Sequence, residues 1–179
     1  MMSVVKLKTL LANKPQKELV AEIAELYKKL DAVKAYYDTQ LNTLTEEDYF
    51  QQQKAIIQNE FFPRNGFGDS RLSVARKAVM DFKKLFGMKD NLIDLAVFYV
   101  EKGVQYTCNY GDISESFYNS MEGMYLKALE WMKELNLLEV YKDRMESICY
   151  ATSGIGWGFH DQLCDTFDEF YDEEILSNE

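Results

Sequence analysis

Between residues 19 and 30 the apolar side chains fall at Leu19, Val20, Ile23, Leu26, Tyr27 and Leu30, steps of three and four that put them on one face of a helix. Val33, Tyr36 and Tyr37 extend that face past a kink near Asp31, and the whole stripe reads as core. Upstream, residues 4 to 11 predict a short helix that ends at Asn13 and Lys14, since Pro15 is tolerated only in the first turn of the next helix. Thr45 followed by Glu46, Glu47 and Asp48 marks a helix start with acids where the dipole favours them, and that helix runs to about Phe61, ahead of Pro63.

The segment FPRNGFGDS, residues 62 to 70, carries Pro, Asn and two Gly and is the clearest linker. Ser70 is then the expected cap for a helix over 71 to 86, closed by Gly87. Asp90 or Asn91 caps the nearly all-apolar LIDLAVFYVEK, the expected central core helix, with Gly103 just past its end. VQYTCNYGD, at 104 to 112, is expected as an extended connector. Asp112 and Glu115 have capping-box spacing and open a helix from Ile113 to about Leu135. Helices over 137 to 149 and from Trp157 to about Leu176 complete the chain, with a glycine corner between them.

These elements predict an all-α fold: an irregular helical bundle, or a short α-α superhelix of HEAT type, with seven to eight helices. A weak likeness between Lys77–Phe86 and Lys127–Asn136 is what suggests repeats. The length of 179 residues suits a single helical domain over 1–179, with a subdivision, if any, near the 62–70 linker. Only nine Gly and two Pro punctuate it, which favours long helices over many hairpins.

Charge narrows the partners. The net charge of −10 opposes generic binding to a phosphate backbone. Residues 161 to 179 hold eight acids and no Lys or Arg, so subtracting them leaves −2 for residues 1 to 160. Residues 1 to 34 carry seven Lys against four acids, and residues 61 to 90 seven Lys or Arg against three. The first zone, LKTLLANKPQKELVAEI, resembles half of a SAP-type DNA-binding motif, with Lys6, Lys8, Lys14 and Lys17 near its helix junction. Helix-terminal lysines are usually a solvated face, and nucleic acid is not the expected partner.

Cys108, Cys149 and Cys164 are odd in number and widely spaced, so reduced thiols in a cytoplasmic protein are expected rather than a disulfide framework. The amino end shows no cleavage site, and no window is long and apolar enough to span a membrane; a soluble, unexported protein is expected.

The richest stretch for chemistry is SGIGWGFHDQLC, residues 153 to 164, which holds three glycines and the only histidine. Its GxGxG is not expected to cradle phosphate, because a helix rather than a strand precedes it and Asp161 and Asp165 follow. The glycines more simply let two helices and Trp157 approach closely. On the last helix His160 flanks a buried stripe of Cys164, Phe167 and Tyr171, while Asp161, Asp165, Asp168 and Asp172 form another stripe. The bland expectation for His160 is a half-buried ring bonded to a backbone carbonyl near the turn. His160 and Cys164 share a helix face and could join Cys108 or Cys149 around zinc, but no CxxC or HExxH spacing supports a site, so no metal and no cofactor are expected. Cysteine–histidine catalysis lacks a separately held base and oxyanion donors, and the acidic end lacks the loop glycine of an EF-hand.

The opening LKTLLANKPQKELVAEIAELYKKLDAVKAYY, the middle YGDISESFYNSM and the closing GWGFHDQL together resemble a bacterial all-helical family of unknown function. The resemblance implies one helical domain and brings no activity or cofactor with it. Its motifs coincide with a candidate functional corner of Trp157, His160, Asp161, Tyr110, Asp112, Glu115 and Tyr118. The leading expectation is a non-catalytic intracellular helical module that presents an aromatic and acidic surface to another protein. The alternatives are a small-molecule binder or enzyme built on Trp157, His160 and Asp161, and nucleic-acid binding through the amino-terminal lysines.

Overall fold

The computed structural model describes residues 3–177, with side chains described as far as Asp172. Among the described residues there are nine helices and no strand: α1 (Val4–Ala12), α2 (Gln16–Lys29), α3 (Asp31–Gln40), α4 (Glu46–Phe61), α5 (Leu72–Phe86), α6 (Asp90–Tyr110), α7 (Glu115–Leu135), α8 (Leu138–Ala151) and α9 (Phe159–Ser177). The all-α class and, within one or two, the number of helices match the sequence expectation. The chain divides into two compact units, Met1–Glu46 and Glu47–Glu179.

The division falls after α3 rather than in the 62–70 segment, which lies inside the second unit and is tied to α4. Ser70 N–H donates to the Glu60 carbonyl, and the Glu60 carboxylate accepts from the Arg71 backbone N–H and from its guanidinium. Gly68 lies so close to the end of α4 that a Cβ there would be 2.7 Å from the Phe61 carbonyl carbon. Ser70 is therefore not a helix cap. It has φ +46, Arg71 takes the cap position of α5, and Glu60 does the capping from the side.

In the first unit α2 and α3 pack as a hairpin, broken at Leu30 in extended conformation. The Tyr27 hydroxyl donates to Asp38 at 2.6 Å across it, and Lys14 pairs with Glu22. The expected core of this stripe is absent: no residue of α1, α2 or α3 is buried. Val20 is 60% exposed, and Ile23, Leu26, Leu30 and Tyr36 are also open. The spacing was right for a helix face, but two short helices and a lead-in cannot enclose a face that wide.

In the second unit α6 is the central helix, packed against α5, α7 and α8, while α9 lies on α7 and α8. Leu92, Ile93, Leu95, Ala96, Val97, Tyr99 and Val100 are fully buried, as the apolar run predicts. Phe61 of α4 enters the same core, meeting Tyr99 and Tyr106 of α6 and Phe117 of α7 edge-on. Of the expected extended connector at 104–112, residues 104–110 are instead the last two turns of α6, and only Gly111 and Asp112 lie beyond it. Gly103 does not end the helix. It is buried against Met121 of α7, whose Cγ would lie 3.1 Å from an added Cβ. Here glycine serves close helix approach, and its moderate cost inside a helix is offset by packing.

Ion pairs join α8 and α4 to α6 at the surface of this core. Arg144 bonds Glu101 through two nitrogens, at 2.6 and 2.8 Å, and also pairs with Asp94, which Lys54 reaches at 3.0 Å. Burial pushes the Asp94 carboxyl up, but Arg144 and Lys54 together outweigh it and hold it below the ordinary range. No helix among the described residues is long and apolar enough to cross a membrane.

Candidate functional site

Two turns at one end of the second unit hold the candidate residues. The first joins α6 to α7. Gly111 ends α6 with φ +85, a conformation that L side chains rarely adopt. Thr107, buried in the last turns of α6, bonds the Gly111 carbonyl at 3.0 Å and the Tyr118 hydroxyl at 2.8 Å. That hydroxyl accepts from Ile113 N–H and donates to Asp112 at 3.3 Å. Asp112 therefore does not cap α7 with Glu115 as expected. Ser114 is the cap, accepting from Phe117 N–H at 3.2 Å, and Glu115 is an exposed first-turn acid beside the helix dipole. Tyr141 similarly takes the Asp90 carboxylate, leaving Lys89 at the cap position of α6.

The second turn joins α8 to α9. Gly154 and Gly158 have φ +82 and +70, as the corner reading anticipates, but so does a non-glycine residue, Trp157, at φ +66. The left-handed region costs an L residue about 1–2 kcal/mol. Trp157 is also 64% exposed, so its indole is not the packing element that the glycines were expected to accommodate. Phe159 fills that place. It is fully buried and meets the Tyr118 ring at 4.8 Å.

The two turns do come together. A Cβ on Gly156 would lie 3.8 Å from Asp112 Oδ2, and Tyr118 spans the junction through its contacts with Asp112 and Phe159. Trp157, Asp112, Glu115 and Asp161 are exposed around it. Tyr110 is half-exposed within an aromatic group formed with Tyr106, Phe62 and the open ring of Phe67.

His160 faces the other way, into the α8–α9 crossing, as a half-buried ring. Its Nδ1 lies 3.2 Å from the Cys149 carbonyl and 2.9 Å from Thr152 Oγ1, in keeping with the simple carbonyl-bonded reading. Thr152 is fully buried, and its hydroxyl bonds the same carbonyl at 2.6 Å. A carbonyl only accepts, so the geometry puts the proton on Nδ1 and leaves Nε2 with its lone pair.

The cysteines overturn the expectation of free thiols in part. Cys149 and Cys164 form a disulfide with a Cα separation of 5.4 Å, while Cys108 is free and exposed. Spacing could not show this, because the pair joins the last turn of α8 to the second turn of α9 and depends on how those helices cross. Thr152 is the residue that sequence reasoning missed beside His160, while Cys149 enters that reasoning only as one of two alternative partners for it. No sequence signal marks Thr152, which lies just past the end of α8 and reaches His160 only through the α8–α9 turn. Cys108 opens on a groove of about 420 Å³ between α6 and α8, with Glu101 and Arg144 at its polar side.

Neither turn assembles a nucleophile, base and oxyanion donors among the described residues. No curated protein and no solved structure matches the chain. The opening, middle and closing segments that resembled one helical family lie inside a single match spanning residues 2–171, and the chain belongs to that family of unknown function, DUF6155.

Proposed function

We propose that this chain is a non-catalytic helical module, acting in the cytoplasm, that binds another protein through the apolar face of α2 and α3. The observation that carries this reading is the absence of any buried residue in α1–α3 beside so many open large apolar side chains. Ile23, Leu26, Val33, Tyr36 and Tyr37 line a shallow apolar groove of about 350 Å³. Unsatisfied apolar faces of this kind are characteristic of partner sites. The rim of the hairpin carries both signs, with exposed Lys17, Lys34, Glu18 and Asp31 and with Lys28 and Lys29 both paired to Glu25, so shape and apolarity rather than net charge define the fitting occupant, an amphipathic helix laid along the groove.

A photo-crosslinking residue placed at Leu26 or Tyr36 of the full chain in its native host tests this, with Lys28 as the control position. The reading requires a discrete protein adduct from the first two positions, lost when Ile23 is changed to Asp. A nucleic-acid adduct would establish the lysine-based alternative, an adduct with a second copy would make the face a self-association surface, and no adduct would remove the proposal.

A second reading is favoured by the meeting of the two turns. Trp157, held open at positive φ beside Asp112 and Asp161, suits a small cationic ligand that an exposed indole and carboxylates can hold together. Quenching of Trp157 fluorescence by organic ammonium ions, lost in Asp112→Asn, would support it; an unchanged spectrum would exclude it.

A further inference from the structure

We propose that, once the Cys149–Cys164 bond is reduced, Cys149, His160 and Cys164 form a binding site for a thiophilic divalent cation of the zinc class. A disulfide alone does not account for the histidine. The three residues each offer a ligand atom, all within 4.8 Å of one another. They come from two helices whose crossing is already fixed by buried Phe159, Leu163 and Ile148.

The distances fit a tetrahedral ion. Zn–S bonds of about 2.3 Å and Zn–N bonds of about 2.0 Å place sulfur and nitrogen ligands roughly 3.5 Å apart and two sulfurs roughly 3.8 Å apart. Cys164 Sγ lies 3.7 Å from Nδ1 and 4.0 Å from Nε2 of His160. Because Nδ1 carries the proton toward the Cys149 carbonyl and Thr152, Nε2 is the ligand nitrogen, and it needs to close by only about 0.5 Å. A ring nitrogen held by a backbone carbonyl is the usual support for a metal-bound histidine, fixing both tautomer and orientation. The two sulfurs must separate by about 2 Å from bonded contact, which side-chain rotation can supply from Cα atoms 5.4 Å apart.

The chemistry balances simply. A dithiol reductant delivers two electrons and two protons to the Cys149–Cys164 bond and leaves as its own disulfide. The cation then binds the two sulfurs as thiolates, together with neutral His160, and the two thiol protons go to solvent. Three protein ligands leave one position for water or another donor. Cation and disulfide are alternative clasps for the same α8–α9 crossing.

The test is titration of the full reduced chain, kept anaerobic, with Co²⁺ and then Zn²⁺. One equivalent of Co²⁺ should produce thiolate-to-metal absorption in the near ultraviolet, which Zn²⁺ abolishes. Zn²⁺ should protect two of the three thiols from a maleimide, leaving Cys108 reactive, a readout that needs no variant. Cys149→Ser and Cys164→Ser should each lose the absorption, His160→Ala should weaken binding at least tenfold, and Cys108→Ser should change nothing. Circular dichroism on each variant separates lost ligands from lost fold. Absence of metal uptake by the reduced wild type, equal labelling of all three thiols with Zn²⁺ present, or uptake that depends on Cys108 would overturn the proposal.

Discussion

Replacing Arg144 by Met keeps most of the side chain's apolar stem and removes the cation that joins α8 to α6. Glu101 then loses both of its guanidinium bonds, while Asp94 keeps only Lys54. Breaking a fully buried pair by removing one partner costs about 3–5 kcal/mol, whereas an exposed pair contributes roughly 0–1 kcal/mol. The side chains of Arg144, Asp94 and Glu101 are 31%, 22% and 31% exposed, so water screens part of the loss, and the expected cost is about 2 kcal/mol. The pH dependence carries the sign. Asp94 titrates below its ordinary value of 3.8 in the folded chain, so its contribution is full above that value and disappears as pH falls through the folded pKa. Urea unfolding of wild type and Arg144→Met at pH 7 and at progressively lower pH measures both. The deficit should be full at pH 7 and shrink below about pH 4. A deficit under about 0.5 kcal/mol at pH 7, the range of an ordinary surface substitution, or one that does not change with pH, would refute this account of the network.

Reduction of the chain in a metal chelator should cost about 3 kcal/mol, the loop-closure value for the 15-residue separation of Cys149 and Cys164; an unchanged denaturation midpoint would deny the disulfide. Trp157→Gly should leave stability unchanged or raise it by about 1 kcal/mol by relieving the left-handed strain, whereas a clear loss in a thermal melt would show the indole to be packed. Gly68→Ala should cost about 1–3 kcal/mol, because the backbone at the end of α4 cannot move aside as a side-chain tip would; a neutral result would mean that the 62–70 segment is not seated on α4.

What the sequence made legible followed from local physics. The apolar run at Leu92–Val100 announced a helix buried on most sides, and the glycines at 154 and 158 announced a tight corner with positive φ. What it concealed came from tertiary contact. Gly103 looks like a stop until Met121 is seen against it, and Asp112 looks like a cap until Tyr118 claims its carboxylate. The stripe from Leu19 to Tyr37 looks like core because periodicity reports which residues share a face, not whether anything covers that face. Cys149 and Cys164 could not be paired from spacing, since only the α8–α9 crossing brings them within bonding reach. The candidate corner was half legible. Asp112, Tyr118 and the glycine turn do converge, but Tyr110 packs with Phe62, Phe67 and Tyr106, and His160 belongs to the cysteines rather than to Trp157 and Asp161.

The bareness of the α2–α3 face is the point on which the functional reading stands, and amide hydrogen exchange of the full chain measures it. A helix pair with no buried side chain opens locally at little cost, whereas a packed core helix exchanges only near global unfolding. Amides of α2 and α3 should therefore exchange orders of magnitude faster than those of α6 and α7. Protection of α2 and α3 equal to that of α6 would show the face to be covered within the chain itself and would contradict the proposal.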